Sequence, residues 1–239
     1  MTDPAEIPIT LLYTAALGGD LALLPRLRTR IRAEQANLSG TMLLVDLGRA
    51  CAPEVWICEA TKGIGMLVAM DGMGYDAFHI GPKDALYAQP QDVLRLRATI
   101  ATPLAAGPWV GAASRGGTGV VFSALDDFAA PSSIAAPPSL FVTLRQSDSP
   151  IVTAGWRNDR RFLVLDAGGD RLGPTLGRLD LIIADDPPGV YIVQQIDLDL
   201  PESLPPDPTM TSVIEFVESE ARRFARRSLH PGPEGGTTE

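Results

Sequence analysis

Cysteine and histidine are nearly missing from this chain, with two of each in 239 residues. Two thiols cannot build a four-thiolate zinc site. Cys51 and Cys58, either side of Trp56, are read as buried thiols packed under a loop in a reducing compartment. Of the two histidines, His230 falls in a Gly/Pro-rich C-terminal stretch. His79 stands between Phe78 and Ile80 in a strand-like segment, where a structural or surface role is expected. A G-x-S-x-G elbow is also lacking, which leaves no support for a serine triad of that kind. Basic charge is scarce: 20 Lys and Arg against 29 Asp and Glu give a net charge of −9, which repels nucleic-acid phosphates and anionic lipid. The one basic cluster, Arg222, Arg223, Arg226 and Arg227, is interleaved with Glu215, Glu218 and Glu220 and reads as a solvated helix face. No nucleic-acid partner is expected. Apolar runs are strand-sized, far short of the ~20 residues of a membrane span. Residues 1–8 carry neither the basic nor the apolar part of an export signal. These absences point to a cytoplasmic protein with no membrane partner.

What is present is an ordinary globular composition, 45% apolar and 21% charged, so disorder is expected only at the ends. The first hundred residues alternate strand and helix signals. Ile9–Thr14 reads as a strand buried on both faces. Leu24, Leu27 and Ile31 then fall at helical spacing, with Pro25 tolerable only in a first turn. Thr41–Asp46 is a second buried strand, residues 61–73 a helix weakened by two glycines, and Ala77–Gly81 a third strand. Strand and helix in alternation predict a mostly parallel sheet with crossover helices. From residue 93 the texture changes to strands at 93–100, 118–124, 139–145, 150–156, 161–166, 177–184 and 190–197. Turns at Gly116-Gly117, Pro137-Pro138, Gly168-Gly169 and 185–189 separate them and suggest antiparallel pairing in a second sheet. Residues 125–138 read as a loop. A last helix is predicted at 212–227, with Ser212 and Glu215 as its capping box and Val213, Phe216, Val217, Ala221 and Phe224 as its buried stripe. The tail 230–239 is expected to be disordered, leaving residues 1–229 as a single domain.

Three segments, LLYTAALGG (11–19), LLVDLGRA (43–50) and GYDAFHIGPKD (74–84), share an order and spacing. They resemble the ligand-bearing loops of calcineurin-type metallophosphoesterases of the 5′-nucleotidase branch, whose patterns are L-x-T-N-D-x-H-G, D-x-G-D, and G-Y-D-A followed by G-N-H-[DE]. LGRLDLII (176–183) resembles a late strand of the same domain. The resemblance implies an α/β fold of two mixed sheets packed face to face and flanked by helices, an αββα sandwich. Thr14, Gly19, Asp46, Gly48, Gly74, Tyr75, Asp76 and Gly81 match framework positions.

The ligand positions do not match. The first-loop Asp and His of the family fall on Ala16 and Gly18, the second-loop Asp on Arg49, and the third-loop Asn and His on Pro82 and Lys83. The later G-G-H-[ST]-H loop has no counterpart. Ala, Gly and Pro side chains offer no lone pair to a metal, and Arg49 and Lys83 put cations where two dications would sit. A like-charge contact at ~4 Å costs about 4 kcal/mol per pair of unit charges at an effective dielectric of 20. The expectation is therefore a catalytically silent relative with no metal and no cofactor, a pseudoenzyme acting as a binding or scaffold module. Arg49 and Lys83 are its candidate anion-binding residues, and Asp46 and Asp84 the carboxylates that would otherwise neutralise them. Its partner would be an unidentified protein or a small anionic ligand. The alternative is an active metal-dependent phosphoesterase with displaced ligands drawn from Asp20, Asp46, Asp76 and Asp84. Arg115-Gly-Gly-Thr-Gly could cradle a phosphate, but without a following helix it reads as a hairpin turn.

Overall fold

In the computed structural model, residues 6–87, 90–107, 109–125, 139–146, 151–166 and 174–229 are described. In chain order the elements are β1 (Ile7–Ala15), α1 (Leu24–Asn37), β2 (Thr41–Asp46), α2 (Trp56–Thr61), α3 (Ile64–Asp71), β3 (Ala77–His79), α4 (Pro90–Thr99) and β4 (Leu104–Ala105). They continue with β5 (Val110–Arg115), β6 (Thr118–Ser123), β7 (Leu140–Arg145), β8 (Val152–Arg157), β9 (Arg160–Asp166), β10 (Thr175–Asp185), β11 (Pro188–Asp197) and α5 (Pro208–Leu229). A short 3₁₀ turn, Leu21–Leu23, leads into α1.

The period-2 alternation of the strands divides the interior into two cores. Ile9, Leu11, Tyr13 and Ala15 of β1, with Leu43 and Val45 of β2, face a core shared with the second sheet. Leu12 and Leu44 face the opposite way, into a core shared with all five helices. One sheet has the order β11-β10-β1-β2-β3-β4, the other β5-β6-β7-β9-β8. In the first, β1, β2, β3 and β4 run parallel, and β10 is antiparallel to both of its neighbours, β1 and β11. The result is two mixed sheets, face to face, with helices over the six-stranded sheet, which is the expected fold class.

Several local expectations need correction. The predicted strand at 93–100 is α4. Its V-L-R-L-R run alternates locally, yet Val93, Leu96 and Ile100 are buried at helical spacing while Leu94 is exposed. The single helix at 61–73 is two, α2 and α3, because Lys62 and Gly63 take positive φ values of 53° and 82° and break the ladder. Antiparallel pairing does not extend through the second sheet: β7 is parallel to both β6 and β9. The Gly116-Gly117 turn does close an antiparallel hairpin, β5–β6. Both glycines have positive φ, the geometry that suits the twist of paired strands. The turns at 137–138 and 168–169, the loop from 126 and the tail from 230 lie outside the described residues.

Helix α5 starts earlier than predicted and buries a different face. Asp207 caps it, its Oδ1 accepting from the Met210 N–H at 2.9 Å, with Pro208 in the first turn. Ser212 instead sits inside the helix and donates to the Pro208 carbonyl. The buried residues are Met210, Ile214, Val217 and Ala221, whereas Phe216 and Phe224 are 64% and 52% exposed. Val217→Ala should therefore lower stability by about 2 kcal/mol, the transfer cost of its buried methyls plus a small cavity. Phe224→Ala should cost about 1 kcal/mol or less. Chemical denaturation of the two variants checks this order. The arginine cluster forms the surface pairs Arg222–Glu218 and Arg223–Glu220, as a solvated helix face should.

Candidate functional site

The C-terminal ends of β1, β2 and β3 lie side by side, because these strands are parallel neighbours. The loops that leave them are tied together through their backbones. The N–H groups of Ala16, Gly18 and Gly19 donate to the carbonyls of Gly48, Arg49 and Ala50 at 3.0, 2.9 and 2.8 Å. The third loop joins in, with Ala85 N–H donating to the Cys51 carbonyl at 3.0 Å. The pairing holds Ala16 and Arg49 at φ 56° and 58°, a conformation that costs a non-glycine residue about 1 kcal/mol or more. Gly19 has φ 88°, and a Cβ there would lie 2.6 Å from Cys58 Sγ, so only glycine fits. Cys51 and Cys58 are not thiols: they form a disulfide across the second loop, their Cα atoms 5.6 Å apart. Spacing alone gave no sign of the pairing, because the turn that brings the two residues together belongs to the loop and α2.

Beneath these loops runs a buried hydrogen-bonded chain. The Thr14 hydroxyl donates to Asp46 Oδ1 at 2.7 Å and lies 3.0 Å from the Tyr75 hydroxyl, and Gly48 N–H donates to Asp46 Oδ2 at 2.8 Å. Asp46 is fully buried, and this burial, helped by the charge of Asp84, pushes its pKa up to about 7 against the pull of the Thr14 and Gly48 hydrogen bonds. Burial raises Tyr75 too.

Asp84 forms the second centre. It accepts from Gly81 N–H at 2.9 Å, from Gln146 Nε2 at 2.8 Å and from the Arg49 backbone N–H. Gln146 follows β7, in the other sheet. Its amide occupies the space above two glycines, so that a Cβ on Gly48 would lie 1.9 Å from its Nε2 and one on Gly81 2.5 Å from its Cδ. His79 is buried, its Nδ1 3.0 Å from the Leu47 carbonyl oxygen, and it feels the charges of Asp84 and of Asp166 at the end of β9. Burial drives His79 down and Asp84 up, both towards their neutral forms.

Of the residues singled out from sequence, Asp46 and Asp84 come together, and Arg49 joins them through its backbone. Arg49 is half-buried and Lys83 exposed, at the rim of the cluster. Asp76 is elsewhere: it accepts from Leu44 N–H at 2.8 Å and pairs with Arg115 at 2.6 Å. Asp20 is exposed at the start of the 3₁₀ turn. Gln146, Asp166 and the inward position of His79 were not foreseen. Gln146 follows β7 and Asp166 ends β9, both in the second sheet, and no local motif marks them.

A fold of this kind implies a pair of divalent metals, and the donors present do not suit one. The positions that match the family's ligands hold Ala16, Gly18, Arg49, Pro82 and Lys83, none of them a carboxylate or an imidazole, and Asp46 and Asp84 already accept hydrogen bonds from the protein. Among the described residues no group of three or more His, Cys, Asp or Glu is placed to hold a metal.

No family model and no curated protein matches the sequence. Solved structures do. The 5′-nucleotidase precursor of Thermus thermophilus superposes with a TM-score of 0.63 at 12% identity, over 91% of this chain and 59% of its own. The NAD nucleotidase of Haemophilus influenzae gives 0.60 at 9%, over 91% and 61%. The calcineurin-like phosphoesterase YfkN of Bacillus subtilis gives 0.61 at 10%, over 93% of this chain and all of that one. This chain thus spans about three fifths of the length of the first two proteins. At such identities the likeness concerns the fold alone, and the chain has a metallophosphoesterase-like fold.

Proposed function

We propose that this chain is a catalytically silent metallophosphoesterase-like protein that acts as a binding or scaffold module. One observation carries the reading: the Gln146 amide, seated on Gly48 and Gly81 and bonded to Asp84, occupies the space between the second and third loops. Two-metal hydrolysis needs that space open, with ionised ligands holding metals ≈ 3.5–4 Å apart. Here Asp46 and Asp84 serve as internal acceptors for Thr14, Gly48, Gly81 and Gln146. In this reading they form a structural plug, and Arg49 and Lys83 belong to its rim rather than to an anion pocket. Calorimetric titration with phosphate and nucleoside monophosphates should give no saturable binding. Saturable binding that is lost in Arg49→Ala with Lys83→Ala would instead make the rim a sensor for phosphorylated metabolites.

No described helix is long and apolar enough to cross a membrane. The cytoplasmic location expected from the sequence has the Cys51–Cys58 disulfide against it, since such bonds persist in oxidising compartments. Alkylation of thiols at the moment of cell lysis separates the two locations: cytoplasmic protein would be labelled at both cysteines.

A further inference from the structure

Cys51 and Cys58 take no part in the buried hydrogen-bonded chain, yet their disulfide lies where the loops meet. Both belong to the second loop and the start of α2, and both are buried, at 3% and 0% exposure. The sulfur of Cys58 faces Gly19 of the first loop: a Cβ on Gly19 would lie 2.6 Å from Cys58 Sγ and 3.1 Å from Val55 Cγ1. Gly19 is also the residue whose N–H donates to the Ala50 carbonyl, and the carbonyl of the next residue, Cys51, accepts from Ala85 of the third loop. The disulfide is thus wedged against the backbone joints of the loop junction.

This fit suits a disulfide and does not suit two thiols. Sulfurs that are no longer bonded stand apart at van der Waals separation, and each carries a proton. A close-packed interior supplies that room only by displacement. On the Cys58 side the displacement falls on Gly19, and so on its bond to the Ala50 carbonyl and on the neighbouring Gly18–Arg49 and Ala16–Gly48 bonds. Those bonds hold Ala16 and Arg49 at φ 56° and 58°, which residues with a Cβ disfavour. Once unpaired, both return to ordinary φ values. The first two loops therefore have two arrangements, paired and parted, and the state of the cysteines biases the choice.

We propose that the Cys51–Cys58 disulfide is a redox latch, which on reduction by a dithiol parts the first and second loops above Asp46 and on reoxidation lets them pair again. A thiolate of the reductant attacks Cys51, the less deeply buried partner, beside the exposed residues Pro53, Glu54 and Trp56. A mixed disulfide forms, and Cys58 leaves as a thiolate and takes up a proton. The second thiol of the reductant then displaces Cys51, which is protonated in turn. Two electrons pass from the dithiol, which ends as a disulfide, to the cysteine pair, which ends as two thiols. The latch acts on the loop backbone, so it does not depend on whether the junction is silent.

The test is amide hydrogen exchange, followed residue by residue by NMR on the full chain before and after dithiothreitol, with alkylation and mass measurement to count free thiols. The Ala16, Gly18 and Gly19 amides should exchange at least tenfold faster in the reduced protein, while those of β7, a strand paired on both sides, stay unchanged. Oxidised glutathione should restore the slow rates. Cys51→Ala with Cys58→Ala removes the bond without adding bulk. It should keep the loop amides within about threefold of the oxidised protein and abolish the response to dithiothreitol. Free thiols without faster loop exchange, or a bond that dithiothreitol does not reduce in the folded chain, would overturn the proposal. So would equal acceleration in β7, since the bond would then be a staple of the whole fold, or loop exchange in the double Ala variant as fast as in the reduced wild type.

Discussion

The Asp46→Asn variant should gain stability relative to the wild type as pH rises from about 4 to about 7, by on the order of 4 kcal/mol, and hold that gain above pH 7. Asp46 is fully buried, and its pKa rises from 3.8 to about 7, with burial as the largest cause. Between those values the folded state keeps a proton that the unfolded state has lost. The stability contributed by this group is therefore fully present below pH 3.8 and is lost as pH climbs through about 7. A shift of about three units corresponds to about 4 kcal/mol. Asparagine mimics the protonated acid. Its amide can donate to Thr14, which then donates to Tyr75, while its oxygen accepts from Gly48 N–H, so the buried chain survives. Asp84 titrates with the same sign. His79, held down by burial, has the opposite sign and favours higher pH. Both remain in the variant, so the difference between the two proteins reports Asp46 together with its coupling to Asp84. Urea unfolding of each at half-unit steps from pH 4.5 to 8 measures it. A difference that does not change with pH would mean that Asp46 ionises as freely folded as unfolded.

Phe78→Ala should cost about 3–5 kcal/mol. Phe78 has no exposed surface, its ring lies 5.0 Å from that of Tyr75, and its strand is paired on both sides, with β2 and with β4. Removing the ring leaves a cavity in the helix-facing core and takes away the surface that positions Tyr75 beneath Thr14. The urea midpoint should fall well below that of Phe224→Ala, whose ring is 52% exposed. Equal midpoints would contradict the assignment of Phe78 to the core.

Much of the first half of the molecule could be read from its residues because local and global signals agree there. Thr41–Asp46 is a strand with the predicted boundaries, and Pro25 marks the start of α1. The matched framework residues turn out to carry contacts. Thr14, Asp46 and Tyr75 form the buried hydrogen-bonded chain, Gly19 makes room for the disulfide, and Asp76 joins β2 to Arg115.

Where the reading failed, tertiary placement decided. Val93–Arg97 alternates like a strand, but burial on one helical face wins. The stripe assigned to α5 included Phe216 and Phe224 because they are large and apolar, whereas the face that meets α2 and α3 is the smaller Ile214, Val217 and Ala221. β5, Val110–Arg115, is made largely of Gly, Ala and Ser, so propensity gave no strand signal. At the site, the two carboxylates were visible beside the loop motifs. Gln146 was not, because it reaches the junction from the other sheet and nothing in its neighbours announces that approach.

The most direct test of the silent-site account is elemental analysis of the protein purified without chelator and then equilibrated with manganese and zinc. The account predicts metal far below one equivalent per chain, because Gln146 and the hydrogen bonds at Asp46 and Asp84 occupy the junction. Two tightly held equivalents, lost on replacing Asp84 with Ala, would contradict it and restore the reading of a working phosphoesterase with displaced ligands.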